Sequence, residues 1–249
     1  MEKPLIVIRN PANDTVELRV GPSGKCILAH KHILSKSPFF ASLLSQYPNL
    51  KESLHAYHFR HFDTYAFATV VHWLYHGDIR FIAEEYKADD IFNTTHMVKV
   101  YCLCQKLQLR SLQNLAIELL GHGYLKNNSA PTIEEIDIAY SGTEQSSTIR
   151  FYLATWAQYR EHVPLQIYMM ARPWDQARFK ILCQKHSDLS ITVENLNKST
   201  GSLENKSINP QVHPICWYHD HLEGESCGVA NQTFQTACSG IRFRISEPI

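Results

Sequence analysis

Long apolar runs are missing from this chain of 249 residues, and so is any excess of charge of one sign. No segment approaches the roughly 20 consecutive apolar residues that span a bilayer, which argues against a membrane-embedded protein. Near the N-terminus, Leu5-Ile6-Val7-Ile8 is too short an apolar stretch for a secretory signal. Basic and acidic residues both number 24, the formal net charge is zero, and no basic run exceeds two residues. Without an electrostatic footprint, neither nucleic acid nor anionic lipid is expected as a partner. The seven cysteines are odd in number and follow no regular framework spacing. They suit reduced thiols in an intracellular compartment, cytoplasmic or nuclear. Six N-x-S/T sequons, at Asn13, Asn93, Asn127, Asn197, Asn205 and Asn231, would matter only on a secreted chain.

Catalytic signatures are missing too. The chain holds 14 histidines, but no GxSxG, HExxH, P-loop or other glycine-rich phosphate loop accompanies them. Seven of them (His30, His32, His55, His58, His61, His72 and His76) fall in the first third of the sequence. Structural hydrogen bonding is the expected role there, and the chain is not expected to be an enzyme.

What the sequence does contain is enough apolar material, 44%, for a sizeable core. Val16-Glu17-Leu18-Arg19-Val20 alternates with period two, and Cys26-Ile27-Leu28-Ala29 follows after the turn residues Pro22-Ser23-Gly24. A β-hairpin is the natural reading. The run His30-Lys31-His32-Ile33-Leu34-Ser35-Lys36-Ser37-Pro38-Phe39-Phe40 then leads into two short helices. Ser37 can cap the second with its hydroxyl, and Pro38 occupies the first turn, where its missing N–H costs nothing. Phe39, Phe40, Leu43 and Leu44 form that helix's apolar stripe. Leu54 to Phe59 reads as a third strand. Asp63 to Tyr75 is the strongest helix pattern, with Phe62, Ala66, Val70 and Trp73 on one face widened by Phe67, Val71 and Leu74. Gly77 can end it in the left-handed conformation. Two further helices are marked by Met97, Val100, Cys104 and Leu107, and by Leu109, Leu112, Leu115, Ala116, Leu119 and Leu120, with a very short junction between them.

This string of residues resembles the BTB/POZ family. His30, Lys31, Leu34, Ser37 and Phe40 match the family's ordered pattern after its first strands, with Ile27 where an aromatic residue usually stands. Leu74-Tyr75-His76-Gly77 is similar to the end of the family's central helix, and Lys106, Leu112, Gln113, Leu115 and Ala116 to a helix pair of fungal BTB proteins. The resemblance covers about 110 residues. It implies an α/β fold, a small mixed sheet with a cluster of helices followed by a helical extension. It also implies a protein-interaction module that binds itself, a scaffold or a client.

Further implications of the resemblance fall on particular residues. Leu50-Lys51-Glu52 occupies the place where relatives that recruit a cullin ubiquitin-ligase scaffold carry a hydrophobic-x-Glu triplet, so Leu50 and Glu52 are candidate cullin contacts. Dimeric relatives pair an acidic residue before the first strand with the basic residue after the histidine. Lys31 fits the basic place, but Asp14 is displaced by one residue and Thr15 takes the acidic place, a shift that reverses side-chain direction on a strand. Asp14, Lys31 and Phe39 are the candidate homodimer residues.

The organisation expected is a lead-in at 1–12, the BTB/POZ-like domain at 13–125, a helical extension at 126–186, a linker at 187–214 and a Cys/His-containing tail at 215–249. In the extension, Thr132-Ile133-Glu134-Glu135 fits a capping box, Ile149, Tyr152, Leu153 and Trp156 predict a helix, and Trp174 to Cys183 another. Residues 187–214 are poor in aromatics and rich in Ser, Asn and Lys, a linker composition that favours disorder. The tail holds Cys216, His219, His221 and Cys227, four zinc-type ligands within twelve residues. Their Cys-x-x-His-x-His spacing is not a standard finger. The bland alternative is a loop of reduced thiols and solvated histidines, with no cofactor. A rival reading from another class is a metal- or thiol-dependent enzyme built on the same four residues.

Overall fold

The computed structural model describes residues 14–46, 57–79, 93–162, 175–200, 209–228 and 231–233. Among them the chain is mixed α/β, with nine α-helices and one three-stranded sheet. It divides into two compact units, Met1–Ala116 and Ile117–Ile249.

The first unit opens with the expected hairpin. Strands β1 (Thr15–Val20) and β2 (Lys25–His30) pair antiparallel from Thr15↔His30 to Val20↔Lys25. The alternation works as read: Val16, Leu18, Val20, Ile27 and Ala29 are buried on one face. Helices α1 (Lys31–Leu34) and α2 (Pro38–Gln46) follow, and β3 (Tyr57–Phe59) returns parallel to β1, giving the order β2-β1-β3. Helix α3 (Thr64–His76) is capped by the Asp63 carboxylate, which accepts from the Tyr65 and Ala66 amides at 3.1 and 3.0 Å. It ends at Gly77 with φ 73°, whose N–H returns to the Trp73 carbonyl. Helix α4 (Thr94–Lys106) packs on α3, and His96, Met97, Val98, Val100, Tyr101, Leu103 and Cys104 all lie buried. Phe40, Phe59, Phe62 and Phe67 form an aromatic cluster around the sheet, with ring centroids 5.4–6.1 Å apart.

Two expectations about this unit need correction. Trp73 is only half-buried, because α3 turns Ala66, Phe67, Val70, Val71 and Leu74 inward and leaves Trp73 beside His72 at the boundary of that face. Of the α2 stripe only Phe40 is buried, while Phe39, Leu43 and Leu44 are half-buried. The candidate strand at Leu5–Ile8 and the triplet Leu50-Lys51-Glu52 lie outside the described residues, as do positions 54–56.

The division between the units, at 116/117, falls within helix α5 (Arg110–Lys126). In the second unit, α6 (Ile133–Gly142) carries the complete capping box. The Glu135 amide donates to the Thr132 hydroxyl at 3.1 Å, and the Thr132 amide to the Glu135 carboxylate at 2.8 Å. Helix α7 (Thr148–His162) buries Ile149, Tyr152, Leu153 and Trp156 completely. Helix α8 (Gln176–Lys185) starts from an Asp175 cap, and Trp174 lies outside the described residues.

The linker expected at 187–214 begins instead with a fourteen-residue helix, α9 (Ser187–Thr200). Leu189, Val193 and Leu196 form its buried stripe, and α9 packs against α7. Arg150 fixes its start. The guanidinium donates to Asp188 at 2.6 Å, to the Tyr140 carbonyl at 2.7 Å and to the Thr143 hydroxyl at 3.1 Å, and it also meets the Thr143 carbonyl. Packing and this part-buried pair override a composition that, taken alone, favours loop.

Candidate metal centre

The tail is anchored in the core of the second unit rather than hanging from it. Residues Ile215–Tyr218 form a 3₁₀ turn in which Ile215 and Tyr218 are buried. The Tyr218 ring meets Tyr152 of α7 edge-on at 4.8 Å and lies 6.0 Å from Phe151. The Ile215 amide donates to the Gln232 carbonyl at 2.8 Å, and Pro214 bridges Thr233 antiparallel. The two ends of the segment are therefore held together.

Local geometry brings the ligand-type side chains to one place. The 3₁₀ turn carries Cys216 and ends at Tyr218, immediately before His219. The backbone leaves the turn extended at His219, with φ −89° and ψ 150°, so His221 follows on the same side. A turn at Leu222–Glu225 then reverses the chain. The Glu225 amide donates to the Leu222 carbonyl at 3.0 Å, and Gly224 adopts φ 79°, a conformation that strains any residue with a Cβ. Cys227 returns to face the others.

Donor atoms of Cys216, His221 and Cys227 lie within 4.8 Å of one another. Cys216 Sγ is 3.4 Å from His221 Nε2, and Cys227 Sγ is 3.4 Å from His219 Nδ1, so His219 joins the group through Cys227. His219 is buried, whereas the other three are half-buried. Burial and the neighbouring Cys227 thiol push the Cys216 thiol above its usual value. The nitrogens facing away from the sulfurs look at carboxylates. His219 Nε2 lies 3.2 Å from Glu118 Oε1 of α5, off the line of a well-aligned hydrogen bond, and His221 Nδ1 lies 3.9 Å from Glu225 Oε2.

Of the four sequence-predicted ligand residues, Cys216, His221 and Cys227 form one cluster, and His219 stands beside it, touching only Cys227 among them. Two thiols and two imidazoles could hold a borderline-soft cation such as zinc. Glu118 was invisible to sequence reasoning, since nothing in the spacing links it to a loop so far downstream.

The other candidates are placed separately, in the first unit. Asp14 pairs with His32 at 3.0 Å rather than with Lys31. The hydrogen bond from His32 lowers its carboxyl pKa, with a smaller contribution from the Lys31 charge. Lys31 donates its backbone amide to the Asp14 carbonyl at 2.8 Å. The Phe39 ring stands edge-on to Phe40 at 5.3 Å. Leu50 and Glu52 lie outside the described residues.

The residues behind the BTB/POZ resemblance have clear structural tasks. The Tyr75 hydroxyl accepts from the His30 amide and shares a second contact with His30 Nδ1, both at 2.8 Å. The Ser37 hydroxyl donates to the Leu107 carbonyl at 2.6 Å while accepting from the Phe40 amide at 3.4 Å. Lys36 Nζ donates to the Leu74 carbonyl at 2.7 Å. No protein-family model matches the chain, and no curated protein sequence matches it.

Proposed function

We propose that the chain is a non-catalytic protein-interaction module of the BTB/POZ type. It acts inside the cell, in the cytoplasm or nucleus, by binding a second copy of itself and a scaffold or client protein. One observation carries this reading. The positions that resemble the family are the ones that lock the first unit together: His30 onto Tyr75, Ser37 onto Leu107, with Leu34 and Phe40 in the core. A chance run of matching letters would have no reason to occupy those joints.

Two features support interaction over chemistry. Phe39, Leu43 and Leu44 leave apolar surface half-exposed along α2, the kind of face a symmetric partner can cover. Among the described residues the cysteines form no disulfide, in keeping with a reducing compartment. No described helix is long and apolar enough to cross a membrane.

The test is capture of two partners by tagged full-length chain in lysate: an untagged second copy and a cullin. Recovery of the untagged copy, lost with Phe39→Asp, supports self-association. Recovery of a cullin, lost with Leu50→Asp at an unchanged melting temperature, supports the adaptor role. If neither partner is captured, the reading fails.

A further inference from the structure

An interaction surface has no use for two thiols and two imidazoles meeting in the second unit, yet the backbone there is arranged to bring them together. We propose that Cys216, His219, His221 and Cys227 bind one zinc ion in a closed tetrahedral site, with Glu118 as the outer carboxylate that orients His219. Distances support it. With bonds of about 2.3 Å to sulfur and about 2.05 Å to nitrogen, a tetrahedral centre sets its sulfur–nitrogen edges near ~3.6 Å. The Cys216–His221 and Cys227–His219 edges are both 3.4 Å, and Cys216, His221 and Cys227 already lie within 4.8 Å of one another, so His219 is the ligand that must close in.

The second line of support is the outer shell. Metal-bound histidines characteristically present their other nitrogen to a carboxylate or carbonyl, which fixes the tautomer and makes the ligating nitrogen a better donor. His219 approaches that arrangement, with Nε2 3.2 Å from Glu118, whereas His221 Nδ1, 3.9 Å from Glu225, is beyond direct hydrogen bonding. Ligation through His219 Nδ1 places the N–H on Nε2, facing Glu118, and ligation through His221 Nε2 places it on Nδ1, facing Glu225. Simple thiol–imidazole hydrogen bonding would account for the two short contacts but not for the Glu118 carboxylate behind the buried His219 ring.

Binding is a ligand exchange without redox change. Two S–H bonds are lost, two zinc–sulfur bonds form, both protons go to solvent, and the imidazoles enter as neutral bases. Two thiolates balance the ion's charge. Four protein ligands leave no position for water, so the site is a strut rather than a catalytic centre. It pins the loop from Cys216 to Cys227 beside α5, adding to the buried Ile215 and Tyr218 and the Pro214–Thr233 bridge.

The experiment uses full-length chain purified in reducing buffer, with metal content, intact mass and cobalt spectroscopy as readouts. One zinc per chain is expected. After chelator treatment, added Co²⁺ is expected to give the intense d–d bands of tetrahedral cobalt and a thiolate charge-transfer band. Cys216→Ser and Cys227→Ser should each lose the metal. Glu118→Gln should keep one zinc at saturation but bind it ~10–100-fold more weakly. The cobalt titration of unmodified chain decides the case even if the cysteine variants fail to fold. Weak, octahedral-type cobalt bands with no bound zinc would overturn the proposal. So would full zinc retention in both cysteine variants, or an intact mass two hydrogens lighter with Cys216 and Cys227 joined in one disulfide.

Discussion

Acidifying the protein from neutral pH should charge His96 where the fold has no room for a charge. The ring is 3% exposed on α4, with Nε2 at 3.0 Å from the Thr69 hydroxyl of α3. Burial pushes its pKa down to about 4 from 6.5, against the pull of the nearby Asp63 carboxylate. A folded-state pKa below the unfolded value means that the unfolded chain takes up the proton first. The stabilisation is therefore complete above pH 6.5 and lost progressively as the pH falls to 4. A difference of that size is worth about 3 kcal/mol. Asp63 does not confuse the window. Burial disfavours its charge, but the Ala66 amide and Lys99 outweigh that and hold its carboxyl below the usual range, so its contribution disappears only at lower pH. The assay is urea denaturation at pH 7, 5.5 and 4, read by amide exchange in α3 and α4 so that the first unit is followed by itself. His96→Gln, which keeps a polar group for Thr69 but cannot titrate there, should flatten most of the loss. Equal pH dependence in both proteins would refute the reasoning and place the acid sensitivity elsewhere.

Five substitutions probe the packing. Ser37→Ala removes an N-cap and strands the Leu107 carbonyl, so denaturant melts should show a loss of about 2–4 kcal/mol. Arg150→Met breaks the part-buried Asp188 pair and should cost about 2–3 kcal/mol, less than a fully buried pair because both side chains retain some solvent. Adding Asp188→Leu should recover part of that loss, a coupling measured by the double-mutant cycle. Trp156→Ala, at a fully buried site, should cost about 3–5 kcal/mol, whereas Trp73→Ala, at a half-buried one, should cost only about 1–2 kcal/mol in the same assay.

Where a local signal decides the structure, the sequence was readable. Period-two alternation placed β1 and β2, Ser37-Pro38 placed the start of α2, and Thr132 with Glu135 placed α6. Two failures share a different cause. Helix α9 has only Leu189, Val193 and Leu196 for its buried stripe, spread among Ser, Thr and Asn, residues that favour caps and turns. Its stability comes from α7 and from Arg150, neither visible in a local window. Trp73 sits one step round from the inward face of α3, and the phase of a broad apolar helix is set by what packs on it. The metal centre divides in the same way. Its ligand-type residues stood out by residue type and closeness, four within twelve positions, and three of them cluster. The 3₁₀ turn, the left-handed Gly224 turn and the Glu118 contact needed three dimensions.

Self-association is the most direct consequence of reading this chain as an interaction module. Sedimentation equilibrium of the full-length protein at tens of micromolar should give twice the 28.7 kDa chain mass, falling to one chain mass with Phe39→Asp at unchanged helical content. A mass of one chain for the unmodified protein at every concentration would contradict the account.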